Sequence, residues 1–393
     1  MNRRQAGVRL ARRVAEIEPF HVMALLARAR ELEAQGRSII HMEIGEPDFP
    51  TPEPIVRAGM RALEKGEVFY TPTPGLPQLR AAIADYYRTR YGVRLTPSRI
   101  LVTTGASAAL MLACAALINP GDEVLLADPG YPANRHFVRV VEGVPRPVPV
   151  GADSGYQLAP AHLEKYWGPR TAAALVASPS NPTGTLISTE RMMGMAEFVR
   201  DRGGALIVDE IYHGLVYEGE YTTAAALTDE VFVINSFSKY FNMTGWRLGW
   251  IVAPERAVGE LDKLAQSLYL AAPTPAQYAA LAAFEPETLA ILERRRRELQ
   301  ARRDYLVPAL RGLGFEIPVM PQGAFYVYAG CGKLTRDSFG FARDLLERAG
   351  VAITPGVDFG ANAPERHVRF AYTNSIERLQ EGVARIAKFL THA

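Results

Sequence analysis

Cysteine is scarce in this chain of 393 residues, which contains only Cys114 and Cys331. The two lie far apart and neither belongs to a C-x-x-C pair, so the sequence predicts neither a disulfide framework nor a thiolate metal site. The seven histidines are scattered without the spacing of metal ligands, and we expect no metal. A reducing compartment suits this composition, and we predict a cytoplasmic protein.

An excess of charge of one sign is also missing. The chain has 44 basic and 42 acidic residues, a net charge of +2, which gives no field that would attract nucleic acid or an anionic membrane. No apolar run approaches the ~20 residues that cross a bilayer. The amino terminus carries the arginines Arg3, Arg4, Arg9, Arg12 and Arg13. A transit peptide is the weaker interpretation, because Glu16 and Glu18 follow and serine is lacking. We expect a small-molecule partner.

Lysine is scarce as well, and one lysine has an unusual setting. The six are Lys65, Lys165, Lys239, Lys263, Lys333 and Lys388. Only Lys239 follows an apolar run that predicts a buried strand, "VFVINSFSK" from residue 231. Burial lowers the proton affinity of an amine and makes it a usable nucleophile toward an aldehyde. A structural ion pair between Lys239 and Asp209 is the alternative.

Between residues 99 and 253, short apolar runs end abruptly in polar or turn residues. The runs are "ILVTTGAS" at 100, "EVLLADPGYP" at 123, "AALVASPSNPTG" at 173, "ALIVDEIY" at 205, "VFVINSFSK" at 231 and "RLGWIVAP" at 247. Runs without alternation are typical of strands covered on both faces, and helical patterns at 106 to 118 and 188 to 202 lie between them. The pattern predicts an α/β fold, with a mostly parallel sheet covered by helices.

The terminal segments show amphipathic helices and shorter strands. We therefore predict a large domain over 61–284 and a smaller α+β domain formed by both termini, 1–60 and 285–393. The arginine-rich stretch "ILERRRRELQARRDYL" from 291 places charges four residues apart, which indicates a solvated helix face, not a binding patch.

The carboxyl ends of parallel strands share one edge of a sheet, where ligands bind. The polar residues that end the six runs should therefore converge: Gly105, Ser107, Asp128, Tyr131, Asn181, Asp209, Tyr212, Ser236 and Lys239. A chance distribution of turn residues could imitate one or two of these positions, because such residues favour strand ends.

A helix that begins near Ala106 or Ser107 would present free backbone N–H groups to a phosphate at this edge. A serine-capped core helix is the equal alternative. The loop lacks the glycine patterns of nucleotide-binding loops, so neither a nucleoside triphosphate nor a dinucleotide is the natural occupant. Arg247 could supply a charged fork to the same phosphate, and Ser236 and Ser238 could donate further hydrogen bonds.

Asp209 in "LIVDEIY" would be a carboxylate buried at a strand end. A buried carboxylate without a partner costs several kcal/mol or takes up a proton. Its partner would be an arginine, a lysine or the protonated ring nitrogen of a ligand. Position alone leaves the three open.

Taken together, the motifs resemble those of fold-type I pyridoxal-5'-phosphate enzymes, and among them the class I/II aminotransferases. The similarity covers nearly the whole chain and is carried by "IGEPDFPTPEPI" at 44, "YTPTPGLPQLRAAI" at 70, "TTGAS" at 103, "DPGYP" at 128, "NPTG" at 181, "DEIY" at 209, "SFSKYFNMTGWRLGW" at 236, "PQGAFYVY" at 321 and "VRFAYTNS" at 368. The resemblance implies a transaminase with pyridoxal 5'-phosphate as cofactor, and amino acids and 2-oxo acids as substrates.

The resemblance also implies a role for particular residues. Lys239 would hold the cofactor as a Schiff base and then move a proton as general base and acid. Asp209 would pair with the pyridine nitrogen. Tyr212 and Asn181 would hydrogen-bond the phenolic oxygen, and Tyr131 would stack on the ring.

The remaining implied residues bind the phosphate and the substrate. The phosphate would be held by Gly105, Ala106, Ser107, Ser236, Ser238 and Arg247, with Tyr70 reaching it from the other subunit of a homodimer. Arg369 would bind the substrate carboxylate in a bidentate pair, beside Gly45 and Asn181. Without the resemblance, a strand-end salt bridge would be the better interpretation of Arg369.

Two alternatives and one departure accompany the resemblance. A lyase on the same scaffold, of the cystathionine β-lyase or aminocyclopropane-carboxylate synthase kind, shares these motifs. A ligand-sensing domain fused to a DNA-binding module is less expected, since no helix-turn-helix pattern precedes residue 40. Ser107 stands where some aspartate- and prephenate-accepting branches have a lysine, which argues against dicarboxylic substrates. The distal pocket is expected to be apolar and to draw on Ile17, Phe20 and Tyr70.

Overall fold

The computed structural model describes residues 8–391, and Arg3 and Arg4 lie outside the described residues. Its α-helices are α1 His21–Ala34, α2 Glu53–Glu64, α3 Pro77–Tyr91, α4 Ala106–Leu117, α5 Pro132–Val140, α6 Pro160–Tyr166, α7 Thr189–Asp201, α8 Glu255–Leu268, α9 Thr274–Leu281, α10 Pro286–Gly312, α11 Ser338–Asp344 and α12 Ile376–Thr391. A π-helical turn, Leu345–Ala349, continues α11. The short 3₁₀ segments are Arg12–Glu16, Pro97–Arg99, Ala152–Ser154, Ala224–Ala226, Thr244–Trp246, Ala282–Phe284, Gly356–Asp358 and Pro364–Arg366.

A seven-stranded sheet forms the centre of the molecule. Its strands are β2 Ile100–Thr103, β3 Glu123–Asp128, β4 Val144–Pro149, β5 Thr171–Ala177, β6 Ala205–Asp209, β7 Phe232–Ser236 and β8 Gly249–Val252, in the order β2-β8-β7-β6-β5-β3-β4. The pairings β3–β4, β3–β5, β5–β6 and β6–β7 are parallel, whereas β8 runs antiparallel to both of its neighbours. The predicted α/β fold with a mostly parallel sheet is confirmed.

The sheet is buried on both faces, as its unbroken apolar strands predict. Successive residues of one strand belong to different hydrophobic clusters: Ile207 packs in the cluster with α4 and α8, and Val208 packs in the cluster on the opposite face. The same alternation holds for Val233 and Ile234. Because each strand is covered twice, none of its apolar residues has to face water.

Strand β4 has no counterpart among the predicted strands. Its sequence "VPRPVP" contains three prolines, which lack the N–H group that a central strand needs. The strand lies at the end of the sheet and pairs with β3 alone, so the proline positions face no further strand.

The terminal parts of the chain form two smaller sheets. β1 Ile40–His41 pairs with β10 Val351–Ala352, and β12 His367–Ala371 lies between β11 Thr354–Pro355 and β9 Tyr326–Gly330. The register of the second sheet sets Arg369 opposite Thr354 on one side and Tyr328 on the other. Within residues 8–391, no helix is both long and apolar enough to span a membrane.

Candidate active site

A cavity of ≈ 430 Å³ lies at the carboxyl edge of the central sheet, between that sheet and the smaller ones. It is lined by the predicted site residues Gly45, Ala106, Ser107, Tyr131, Asn181, Asp209, Tyr212, Lys239 and Arg369. These residues come from segments that are up to about 320 positions apart in the chain, and the fold brings them around one space. The convergence predicted from the strand ends is therefore present.

Lys239 follows β7 and its Nζ donates a hydrogen bond to the Gly45 carbonyl at 2.6 Å. Removal from water lowers the pKa of this amine to about 8; Glu46 opposes the shift, and the positive charges of Arg369 and Arg247 add to it. No ion pair joins Lys239 and Asp209 within residues 8–391, because the Lys239 Nζ bonds the Gly45 carbonyl and acts on Asp209 only through its charge. The amine is thus available for chemistry.

The lowered pKa of Lys239 has a measurable consequence in the cofactor-free chain. An amine reacts only when it has lost its proton, so we expect Lys239 to become reactive as the pH rises through about 8, well below the ~10.4 of a free lysine. Reductive methylation with formaldehyde, followed by mass spectrometry of the peptide, measures the midpoint. A midpoint above ~10 would contradict the described environment.

Asp209 ends β6 and is buried. One carboxylate oxygen accepts a hydrogen bond from the Ile211 N–H at 3.0 Å. Burial raises the pKa of Asp209 to about 6, and the Ile211 hydrogen bond and Lys239 only partly offset that rise. Among the described residues no cation forms an ion pair with this carboxylate, so an arginine partner is not present in the fold. A cationic ligand group that donates a proton would satisfy it.

The amino end of α4 meets Arg247 at the same edge of the sheet. Gly105 has φ +79°, and an added Cβ would lie 2.8 Å from the Arg247 Nη2, so the loop brings its backbone against the guanidinium. No side chain caps α4, which excludes the alternative of a serine-capped helix and leaves the first N–H groups available. Free amides beside an arginine suit a phosphate group.

Ser236 and Ser238 stand next to this helix end. Ser236 Oγ lies 2.9 Å from Ser238 Oγ and 3.1 Å from the Leu248 carbonyl oxygen, it accepts a hydrogen bond from the Ser238 N–H at 3.0 Å, and both serine side chains are buried. Ser236 pairs in register with Gly249, where an added Cβ would lie 2.9 Å from the Ala106 N. The predicted phosphate residues Gly105, Ala106, Ser236, Ser238 and Arg247 are therefore neighbours.

Arg369 is buried, and among the described residues no carboxylate forms an ion pair with its guanidinium. Its Nη1 donates to Asn181 Oδ1 at 2.9 Å, and its Nη2 donates to the Glu43 carbonyl at 2.6 Å and to Thr354 Oγ1 at 3.1 Å. The Arg369 Nε has no partner. The strand-end salt bridge considered from sequence is therefore absent, and a buried cation remains that a substrate carboxylate would pair with.

Tyr212 forms a hydrogen bond through its hydroxyl to the hydroxyl of Tyr326 at 2.9 Å. The ring of Tyr326 also lies 4.3 Å beneath the Arg369 guanidinium. A Cβ added at Gly45 would lie 2.2 Å from the Tyr326 Oη, so any side chain at this position would force Tyr326 to move. Tyr326 thereby connects the predicted cofactor residue Tyr212 with the predicted substrate residue Arg369.

We expect Gly45→Ala to destabilise the protein by about 1–3 kcal/mol, because the methyl group displaces Tyr326 from Arg369. Urea unfolding of the single variant and of the Gly45→Ala/Tyr326→Phe double variant measures the effect. Removing the hydroxyl clears the nearest atom, so the double variant should recover part of the loss. Equal stability of Gly45→Ala and the parent chain would show that the contact is not tight.

Three expectations about residues near the site have different outcomes. Phe20 lines the cavity, but Ile17 and Tyr70 do not line it in their own chain, so the expected apolar wall is only partly right. Asp128 does not line the cavity either; its carboxylate accepts hydrogen bonds from the Ala361 and Asn362 amides and joins two loops. Its strand-end position resembled that of Asp209, but its partners are structural.

Sequence reasoning missed four residues that complete the arrangement, namely Glu43, Tyr326, Thr354 and Phe359. They lie on β9, on β11 or in loops of the terminal segments. The Glu43 carbonyl and the Thr354 hydroxyl accept hydrogen bonds from Arg369, and the Tyr326 and Phe359 rings lie 4.3 and 4.9 Å from its guanidinium. The two main strands of that sheet are visible in the sequence. Their register is not, and the register decides which side chains reach Arg369.

The fold and the cavity are typical of an enzyme that acts on small molecules. The cavity holds the buried amine of Lys239, and neither the buried carboxylate of Asp209 nor the buried guanidinium of Arg369 has an ion-pair partner among the described residues. Comparisons with known proteins identify the family. Residues 37–386 match the family model for aminotransferase class I and II. A (5-formylfuran-3-yl)methyl phosphate transaminase of Methanocaldococcus jannaschii is 38% identical over 384 residues, 97% of this chain and 99% of that protein.

Two further similarities support this match. A valine–pyruvate aminotransferase of Mycobacterium tuberculosis is 35% identical over 378 residues, 96% of this chain and 97% of that protein. The crystal structure of an aminotransferase from Mycobacterium tuberculosis has a TM-score of 0.95 and 34% identity, and covers 98% of this chain and 100% of that one. This chain belongs to the aminotransferase class I and II family.

The predicted function, a transaminase, is confirmed, and the lyase alternative is not favoured. The cofactor of the family is pyridoxal 5'-phosphate, as expected. The residues present fit this cofactor: the amine of Lys239 has a lowered pKa, the buried Asp209 has no cation, and the Gly105 backbone leaves an uncapped helix end beside Arg247.

Proposed function

We propose that Lys239, Asp209 and Arg369 perform aminotransfer between an amino acid and a 2-oxo acid in this cavity. The observation that carries the proposal is the buried amine of Lys239, which shares a cavity with the Asp209 carboxylate yet donates its hydrogen bond to the Gly45 carbonyl instead. Because the Lys239 amine and the Asp209 carboxylate are buried in one cavity without pairing, a ligand can bind between them and contact both.

The chain's own residues would hold the cofactor as follows. Lys239 would bind it covalently through Nζ, and Asp209 would accept a hydrogen bond from the ring N–H. Tyr212 and Asn181 would donate to the phenolic oxygen, and Tyr131 would cover the ring face. The phosphate would be bound by Gly105, Ala106, Ser107, Ser236, Ser238 and Arg247. When bound, pyridoxal phosphate accepts the electron pair left when the substrate Cα loses its proton.

Lys239 would move the proton in both directions. An amine whose pKa lies near 8 is partly unprotonated at neutral pH, so its Nζ can take the proton from the substrate Cα and return it. Arg369 would bind the substrate carboxylate, next to Asn181 and Gly45, and this orientation would set which bond at Cα is broken.

A division of the chain into two domains would suit these roles. We propose domain boundaries at 1–60 with 285–393, and at 61–284, so that Arg369 belongs to the smaller domain and Lys239 to the larger. A substrate that bridges the two would favour closure and exclude water from Lys239.

The half-reactions test the proposal. Purified protein loaded with pyridoxal phosphate should be yellow, an amino acid alone should convert the bound cofactor to its pyridoxamine form, and a 2-oxo acid should restore it. Absorbance spectra follow both steps. Release of ammonia and pyruvate from a cysteine conjugate without this interconversion would favour the lyase, and a colourless protein would contradict cofactor binding.

We propose further that two copies of the chain share their active sites. Val68, Phe69 and Tyr70 form an exposed apolar segment, with Phe69 and Tyr70 each 81% exposed. A run of large apolar side chains in water is typical of an interface. Tyr70 does not line the cavity of its own chain, which is consistent with a role at the site of a second copy.

Mixing two inactive variants tests the shared site. Lys239→Ala and Tyr70→Phe should each lose most activity, because one lacks the amine and the other lacks the phosphate contact. Unfolding and refolding them together should restore about a quarter of the wild-type rate, since half of the random dimers contain one intact site. No gain over the separate variants would show that Tyr70 acts in its own chain.

We also propose a cytoplasmic location. Both cysteines are free thiols in the described structure and both are buried, as expected where no oxidising machinery forms disulfides.

A further inference from the structure

Helix α1 supplies an apolar wall of the active-site cavity, and other elements add further apolar lining residues. Helix α1 and the residue before it contribute Phe20, Val22, Met23 and Leu26. Helices α4 and α5 and the loop after β6 contribute Leu110, Pro132 and Ile211. Arg369 and Lys239 line the same cavity, together with Asn181 and Asp209. A substrate held by its carboxylate at Arg369 therefore has apolar surface available for its side chain.

The charges around the cavity are unsuited to a second carboxylate. Among residues 8–391, Lys239 and Arg369 are the cations that line it, and the proposed function already assigns a role to each. The lining also includes four residues with carboxyl groups, namely Glu43, Glu46, Asp209 and Asp358. Arg135 and Arg139 line a different, neighbouring cavity of ≈ 270 Å³. A second carboxylate would lose its hydration and meet negative charge.

The apolar wall is held in place from the other end of the chain. Asp358 accepts hydrogen bonds from the His21 and Val22 amides at 2.8 and 2.9 Å, and its Oδ1 also lies 2.9 Å from the His21 Nδ1. The Asp358 carboxylate thereby caps α1, whose preceding residue Phe20 supplies no side-chain cap. The wall has a defined position against the loop that follows β11.

We infer that this aminotransferase takes monocarboxylic amino acids with apolar side chains, and that the α1 wall selects them against aspartate and glutamate. The inference rests on the proposed role of Arg369. Apolar side chains gain contact with Phe20, Val22 and Met23, whereas a charged side chain gains no further cation from the lining that this chain supplies.

A half-reaction screen of the holoenzyme compares leucine, methionine and phenylalanine with aspartate and glutamate. We expect kcat/KM for the best apolar amino acid to exceed that for aspartate by at least ~10-fold, a discrimination that pocket contacts readily supply. An aspartate preference with active half-reactions would overturn the inference alone. No reaction with any amino acid would overturn the proposed function instead.

Ligand binding gives a readout that needs no turnover. Calorimetric titration with 4-methylpentanoate, 3-phenylpropionate and succinate compares carboxylates that cannot transaminate. We expect at least one of the two apolar acids to bind at least ~10-fold more tightly than succinate. Tighter binding of succinate would contradict the apolar wall.

Met23→Arg tests the wall itself. Met23 is half-exposed, so the longer side chain can be accommodated, and its charge would serve a second carboxylate. We expect the ratio of kcat/KM for leucine to that for aspartate to fall at least ~10-fold. Met193→Arg on α7, which also replaces a half-exposed methionine, is the matched control and should keep the parent ratio. Equal ratios in Met23→Arg and the parent chain would show that α1 does not select the substrate.

Discussion

Lys239→Ala is expected to lower kcat/KM for transamination by about 10⁴-fold or more, because it removes the group that we propose to bind the cofactor and to move the proton at Cα. The fold should survive the change. The substitution removes a partly desolvated amine whose hydrogen bond goes to the Gly45 carbonyl, and it leaves no cation unpaired. Activity is measured by coupled assay, and folding by thermal unfolding.

The chemical readout for Lys239 is independent of activity. Borohydride treatment of the yellow holoenzyme should fix the cofactor to the peptide that contains Lys239, and mass spectrometry locates it. Lys263→Ala is the matched control, since Lys263 is an exposed lysine on α8 paired with Glu260. That variant should keep its colour and activity. A label on any other lysine, or retained activity in Lys239→Ala, would refute the assignment.

Arg369→Lys is expected to lower kcat/KM by about 10²–10³-fold, which corresponds to ~3–4 kcal/mol for one buried charge pair whose geometry is lost. A lysine keeps the charge but cannot form the two parallel hydrogen bonds of a guanidinium. It also leaves Asn181 and the Glu43 carbonyl without their donor. The amino acid KM should rise more than kcat falls, since the proposed role of Arg369 is to bind the substrate carboxylate.

Arg303→Lys is the control for replacing a buried arginine. Arg303 on α10 is buried like Arg369, but it pairs with Glu218 at 2.8 Å and with Asp304 at 2.7 Å and lines no part of the cavity. This variant should melt at a lower temperature with the KM unchanged. If Arg369→Lys instead lowered stability and left the KM as it was, Arg369 would be a structural residue.

Much of the site was visible in the sequence because its residues follow buried strands. The runs that end in Asp209 and Lys239 are apolar throughout, and parallel strands bring such ends to one edge. The helix after Gly105 was visible in the same way, since a glycine ends an apolar run and a helical pattern follows. The roles of these residues came from the family resemblance, because position alone left a partner for Asp209 open.

The parts that the sequence missed depend on register and on long-range contacts. In the sequence, Tyr326 is one of several apolar residues in a predicted strand. Only the tertiary structure shows that its hydroxyl lies beside Gly45 and Tyr212 at the cavity. Strand β4 was missed because prolines argue against a strand unless it lies at a sheet edge, and the sequence does not say which strand is outermost.

By itself, the sequence determined the kind of fold, the position of the reactive amine and the identity of the polar strand ends, since these follow from local patterns of burial and from shared motifs. The tertiary structure decided which charges remain unpaired. Asp209, Lys239 and Arg369 could each have found an ion-pair partner in another packing of the same elements, and only the three-dimensional arrangement keeps them apart around an open cavity. Pairing depends on distances between remote segments, and no local pattern encodes those distances.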